Sequence, residues 1–203
     1  MLGTRPEAIK LAPVISCFRE AAPEMGFVTR VAVSGQHRGL LDQALEVFGI
    51  APDHDLNVMQ PGQTLSQSTS RILAALEPVF LSERPDMVMV QGDTTTTFCG
   101  ALAAFYQNIA VGHVEAGLRT WDLREPFPEE MNRKLAAPLV ALHFAPTGAA
   151  RDALLREGVP DETIAVTGNT VIDALLMEEG RQRSDAGLDR KSTRLNSSHG
   201  YIS

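Results

Sequence analysis

Cysteine, tryptophan and tyrosine are scarce, at two, one and two in 203 residues. Two cysteines build no disulfide framework, and Cys17 and Cys99 both fall in helical patterns, where reduced core thiols are expected. The five histidines and two cysteines never stand at ligand spacing, so no metal is expected. There is no G-x-G-x-x-G and no P-loop, and nothing calls for a cofactor. A basic excess is also missing: the net charge of −7 argues against a general nucleic-acid partner. No apolar run is long enough to span a bilayer and no charged-then-apolar leader opens the chain, which excludes a membrane partner and points to the cytoplasm. What is present, 44% hydrophobic and 21% charged residues, belongs to an ordinary globular protein with room for one α/β domain and little room for two.

The most informative stretch is 87–97, MVMVQGDTTTT. Its apolar start, behind Arg84-Pro85-Asp86, reads as a strand buried on both faces. Gly92 permits a tight turn, Asp93 suits a helix N-cap, and Phe98, Ala101, Leu102 and Phe105 continue with helical spacing. Four consecutive threonines are mediocre helix formers, which suggests hydroxyls and amides wanted for contact. Further units follow the same plan. A helix over 7–20 is preceded by only Met1 and Leu2 where a buried strand of about five residues belongs, so the amino end reads as shortened. A strand over 28–34 leads into a helix over 40–48, an extended piece over 55–59 and a helix from Thr64. Strands over 109–114, 142–145 and 163–166 alternate with helices opened by Glu129-Glu130, Thr147 and Val171, the last ending at Met177. Such alternation predicts an α/β fold with a doubly wound parallel sheet. Residues 1–177 form the expected domain. Residues 178–203 read as a linker remnant and a tail without core-facing period, foreign in character from Asp189 onward.

Residues able to do chemistry collect at strand-to-helix turns: Arg5 at the first, Gln36, His37 and Arg38 at the second, Asp93 at the third, His113 and Glu115 at the fourth. All should lie along one edge of the sheet, where ligands bind in open α/β folds. Arg5 and Lys10 suit an anion at a helix start, and Arg5 could equally pair with Glu7. His113 alone reads best as a satisfied near-core histidine. Glu115 closes an apolar strand, where a carboxylate must be paired or solvated. Glu129 and Glu130 taken alone read as a solvated helix start, with Arg119 and Arg133 as candidate partners. Several carboxylates beside several cations suit a phosphorylated or sugar-nucleotide ligand, and the residues themselves do not name the reaction.

The segments GTRPEAIKLAP (3–13), SGQHRGLLDQAL (34–45), PDHDLNVM (52–59), GDTTTTF (92–98), GHVEAGLRTWD (112–122), PFPEEMNR (126–133) and TGNTVIDALL (167–176) resemble the non-hydrolysing UDP-N-acetylglucosamine 2-epimerase family, in unbroken order. The resemblance implies one Rossmann-like half of a GT-B type two-domain enzyme that interconverts UDP-GlcNAc and UDP-ManNAc. In that family UDP is eliminated to give 2-acetamidoglucal and is then added back, in the service of surface polysaccharide synthesis. By motif match, Asp93, Glu115 and Glu129 are the acidic catalytic residues. Arg5, Lys10, Gln36, His37, Arg38, His113 and Arg133 are the substrate-binding ones, with no metal and no cofactor. The full-length parent is expected to be a homodimer and the present chain alone to be inactive. Gly62 stands where activator-binding members carry Arg, so activation by a second nucleotide sugar is not expected, and Leu123-Arg124-Glu125 departs from the commoner pattern. The rival implications are a hydrolysing epimerase releasing ManNAc and UDP, a GT-B glycosyltransferase, or a non-catalytic nucleotide-sugar-binding fragment.

Overall fold

A computed structural model of the chain describes residues 1–35 and 38–184. The elements in order are α1 (Arg5–Met25), β1 (Ala32–Val33), α2 (Arg38–Val47), β2 (His54–Asp55), α3 (Leu65–Glu83), β3 (Met87–Gln91) and α4 (Thr95–Tyr106). They are followed by β4 (Ala110–Val114), α5 (Glu129–Ala136), β5 (Leu142–Ala145), α6 (Gly148–Arg156), β6 (Ile164–Val166) and α7 (Thr170–Ser184).

Every strand pair is parallel. β3, β4, β5 and β6 lie side by side in that order, and β1 pairs with β2. Leu2 links the two groups. It forms a parallel bridge with Val33, exchanging hydrogen bonds with Ala32 O and Ser34 N, while the Met1 amino group donates to Met89 O at 2.7 Å. Leu2 is fully buried and holds the place of a central strand between β1 and β3. The chain leaves it toward β1 on one side and β3 lies on the other, so the order reverses at this point. Crevices at such reversals, beyond the carboxyl ends of the strands, are where open α/β sheets bind ligands. The doubly wound parallel architecture predicted from the alternation is therefore the one found.

Two large apolar clusters pack against the sheet, with a smaller third formed by Ala116, Ala137 and Leu154. One joins Leu2, Leu11, Ile15, Val33 and Leu41; the other joins Ile72, Leu76, Phe80, Val88, Val90 and Val111. The seam beside Leu2 is tight: a Cβ on Gly3 would stand 2.3 Å from Thr96 Oγ1 and 2.4 Å from Ser34 Oγ. Only a residue without a side chain lets the three turns meet there.

Several boundaries differ from expectation. The strand expected over 28–34 narrows to Ala32–Val33, because its pairing partners are the bridge at Leu2 and the two residues of β2. The extended piece expected over 55–59 is His54–Asp55. α1 extends to Met25 through Pro13 and Pro23, and α7 extends past Met177 to Ser184 while packing against α1. Cys99 is buried as expected, whereas Cys17 lies on the outer face of α1. The helix after β3 is capped by Thr94, whose Oγ1 accepts from Thr97 N at 3.2 Å, and Asp93 is left free for other work. Among the described residues no helix is long and apolar enough to cross a membrane, and no cluster of His, Cys, Asp and Glu could hold a metal.

Candidate active site at the strand ends

β3 and β4 are register neighbours, with Gln91 opposite Val114, so the turns that follow them emerge side by side. Glu115 is the first residue after β4. Its φ of +63° is a left-handed conformation that a non-glycine residue adopts only where its surroundings impose it. That conformation turns its side chain back over the neighbouring turn, where Oε2 lies 3.8 Å from the position of a Cβ on Gly92. Three donors converge on the carboxylate. Lys10 Nζ stands 2.7 and 2.5 Å from its two oxygens, Gln91 Nε2 donates at 2.5 Å, and Asn169 Nδ2 donates at 3.1 Å. Lys10 comes from α1, Gln91 from the end of β3, and Asn169 from the turn after β6, where its Oδ1 also accepts Val171 N. The Glu115 side chain is only 9% exposed, so these donors replace water around a charge that could not otherwise be buried.

Asp93, one residue past Gly92, has a separate partner set. Arg133 of α5 binds its carboxylate through Nε at 3.0 Å and through a second guanidinium nitrogen. Asn132 Nδ2 donates to the Asp93 carbonyl at 2.9 Å. Arg133 is in turn held by Glu130, Nη1 to Oε2 at 3.0 Å, and the other oxygen of Glu130 accepts Trp121 N at 3.1 Å. Glu130 is fully buried, contrary to the solvated helix start expected of it. Burial works against its charge, but Arg133 and the neighbouring backbone hold it below the usual carboxylate range. Burial likewise opposes the charge of Arg133, and the two carboxylates outweigh it and raise its pKa above the ordinary value.

The remaining candidates divide. Glu129 is half-buried at the first position of α5 and makes no ion pair among the described residues. Arg5 is exposed at the first position of α1, and the pair with Glu7 does not form. His113 is withdrawn from the rim: it is 2% exposed, and its Nε2–H donates to Gly92 O at 2.7 Å. Desolvation pushes its pKa down to about 4, so the ring is neutral, and its hydrogen bond supports the turn from beneath. Gln36, His37 and the side chain of Arg38 lie outside the described residues. Arg119 pairs with Glu157, at 2.7 Å, and not with the start of α5.

The threonine run is used internally. Thr94 Oγ1 donates to Glu7 Oε1 at 2.8 Å, Thr97 Oγ1 donates to Gln91 O at 2.5 Å, and Thr96 shares a hydrogen bond of 2.8 Å with Ser34. Glu7, Gln91, Asn132 and Asn169 were not singled out from the sequence. For Glu7 the Thr4-x-x-Glu7 spacing of a capping box was the available signal. For the others no local pattern marks a residue whose partner lies on another element. Two surface concavities, of about 260 and 570 Å³, are lined by Ile15, Arg19 and Phe48 and by Lys134, His143 and Val159 respectively. Neither includes Asp93, Glu115 or Lys10.

The described geometry brings two carboxylates, each matched to a cation, to adjacent strand ends at the reversal of strand order. A family model described as UDP-N-acetylglucosamine 2-epimerase matches residues 19–200. The UDP-N-acetylglucosamine 2-epimerase of Salmonella typhimurium strain LT2 is 56% identical over 181 residues, 89% of this chain and 47% of that protein. The Escherichia coli K12 protein of the same description is 56% identical over 176 residues, 87% of this chain and 46% of its own length. Among solved structures, UDP-GlcNAc 2-epimerase from Neisseria meningitidis bound to UDP-GlcNAc superposes with a TM-score of 0.85 at 49% identity, covering 90% of this chain and 49% of that one. The Methanocaldococcus jannaschii enzyme, in complex with UDP-GlcNAc and UDP, gives a TM-score of 0.83 at 38% identity, over 93% and 51% of the two chains. The chain thus spans about half the length of the curated relatives it matches.

Proposed function

The chain belongs to the UDP-N-acetylglucosamine 2-epimerase family, and on that premise we propose that it is the proton-handling half of an enzyme that interconverts UDP-GlcNAc and UDP-ManNAc. The observation that carries the proposal is Glu115. A carboxylate set in a left-handed backbone conformation and held by Lys10, Gln91 and Asn169 at the strand reversal is a group fixed and aimed. The chemistry asks for such a group. A base near the sugar C2 takes its proton while the C1–O bond breaks and UDP departs with the bonding pair, leaving a C1–C2 double bond. A proton returned to C2 from the opposite face, with UDP adding back to C1, gives the epimer. Positive character develops at C1 as UDP leaves, and fixed negative charge beside it lowers the barrier.

We assign the proton transfer at C2 to Glu115. Asp93 is the second acid or the stabiliser of charge at C1, and Glu129 is a third acidic group at the same rim. Lys10, Arg133 and Arg5 are suited to the diphosphate: Arg5 makes no ion pair among the described residues, and the other two are held at the strand ends by Glu115 and Asp93. Gln36, His37 and Arg38 belong to the same proposal as substrate contacts. The family neighbours hold UDP-GlcNAc in chains about twice this length, which supports a second wall of the cleft supplied by further chain. A homodimeric parent, a cytoplasmic location and a role in polysaccharide synthesis complete the reading. The net charge of −7 favours leaving nucleic acid out of the partners.

The test is epimerisation in deuterated water, followed by proton NMR of the sugar C2 position. The present chain alone is expected to give neither UDP-ManNAc nor deuterium at C2. The same chain joined to the carboxyl-terminal half of the Salmonella relative is expected to give both, and Glu115→Gln in that hybrid to abolish both. Full turnover by the Glu115→Gln hybrid would overturn the assignment.

A further inference from the structure

Glu7 is the third residue of α1 and sits in a capping box with Thr4, where its Oε2 accepts Thr4 N at 2.7 Å. Capping alone does not account for it. The same chain builds a second capping box at the start of α3, from Thr64 and Gln67, and that one is exposed and uses a neutral amide. Glu7 is 2% exposed, a position in which a carboxyl group is costly and must be matched by donors. It is matched on both oxygens. Oε2 also accepts Gly3 N at 2.9 Å and Thr4 Oγ1 at 2.8 Å. Oε1 reaches across to another element and accepts from Thr94 Oγ1 at 2.8 Å, while Thr97 Oγ1, whose one proton goes to Gln91 O, lies 3.3 Å away.

Those two threonines control the turn that carries the site. Thr94 caps α4, and Thr97 Oγ1 binds the carbonyl of Gln91 at 2.5 Å. Gln91 then holds Glu115 through its side chain, and Lys10, one turn beyond Glu7 on α1, holds Glu115 from the other side. The two strongest donors on Glu115 thus come from two elements, and Glu7 is the buried joint between them. We propose that Glu7 is a positioning residue: by clamping the first turn of α1 to the β3–α4 turn it sets the separation of Lys10 and Gln91, and with it the aim of Glu115. The proposal rests on reading Glu115 as the proton-transfer group, and it concerns geometry that can be measured without turnover.

The joint requires reach on both sides rather than charge. An amide of the same length can accept from Gly3 and Thr4 through its oxygen and donate to the Thr94 and Thr97 oxygens through its nitrogen. Aspartate keeps the charge and loses one methylene of reach. The experiment follows the Lys10 ammonium and Glu115 carboxyl resonances by NMR in the isolated chain. It compares the unaltered chain with Glu7→Gln, Glu7→Asp and Thr97→Val, using the Arg151–Asp161 pair as the control signal. Glu7→Gln is expected to keep the slow-exchanging Lys10 ammonium signal and the Glu115 shift. Glu7→Asp and Thr97→Val are expected to lose the first and move the second while the control pair stays unchanged. Thr97→Val cuts the link to Gln91 and leaves the capping box whole, so it carries the test should Glu7→Asp fail to fold. Lys10 and Glu115 signals that stay in place in Thr97→Val would overturn the inference. A hybrid enzyme that loses no activity with Glu115→Gln, beside Lys10 and Glu115 signals that do move in Thr97→Val, would count against the functional reading alone.

Discussion

Three carboxyl groups and one histidine show how burial assigns roles at the residue scale. Glu7, Glu115 and Glu130 are all withdrawn from water, and each is matched differently. Glu7 meets hydroxyls and amides, Glu130 meets a guanidinium and an amide, and Glu115 meets an ammonium and two carboxamides. A carboxyl group surrounded only by neutral donors is pushed above the usual range by desolvation, which is the direction found for Glu7. His113 provides a pH prediction. Its folded pKa, about 4, lies below the ordinary value of 6.5, so the unfolded chain binds the proton more readily. Its contribution to stability is therefore complete above about pH 6.5 and is lost as the pH falls toward 4, amounting to about 3 kcal/mol at the acid end. Urea unfolding between pH 7 and pH 4.5, with the His113 ring followed by NMR, checks this. A ring that titrates near 6.5 in the folded chain would contradict it. The sequence marked His113 as a near-core residue, and it is buried. Glu130 was not legible as a buried group, because its partners, Arg133 and the Trp121 amide, reach it only when the 118–128 loop folds back over α5.

At the scale of elements, the units with strong local signals came through with small shifts. β3, β5 and the Thr147 cap of α6 stand where periodicity and capping chemistry put them, because an apolar run bounded by breakers leaves one solution. β1 is shorter than its alternating valines suggest, because they fit a pleated edge whether or not a partner runs alongside for their full length. The cap of α4 moved from Asp93 to Thr94, which sequence chemistry could not separate, both being good N-caps. The decisive term was tertiary, since Arg133 claims the Asp93 carboxylate. The packing of these elements makes a testable demand at Gly3. A methyl group there would meet Thr96 and Ser34 oxygens at 2.3 and 2.4 Å, both side chains already hydrogen-bonded to each other in a buried seam. Gly3→Ala is expected to destabilise the chain by about 2 kcal/mol through overpacking. It should also disturb the Gly3 amide that Glu7 accepts. Equilibrium denaturation measures the first effect, and an unchanged midpoint would show that the seam relaxes freely.

At the scale of the whole molecule, a parallel sheet that reverses its order beside Leu2 places the turns after Leu2, β3, β4 and β6 on one edge. Four contributors to the site, Lys10, Gln91, Glu115 and Asn169, then meet although they span 160 positions of the chain. That convergence was legible from the alternation of strands and helices, since right-handed crossovers put every strand-to-helix turn on the same side. What stands opposite that edge was not legible, and the family neighbours are about twice as long. The central claim is that Asp93 and Glu115 serve one ligand from this edge. The most direct measurement is a titration of the chain with UDP-GlcNAc, read by calorimetry and by the carboxyl resonances of Asp93 and Glu115 together. The account expects one binding event that shifts both resonances with the same midpoint; binding that moves only one of them, or two separate midpoints, would contradict it.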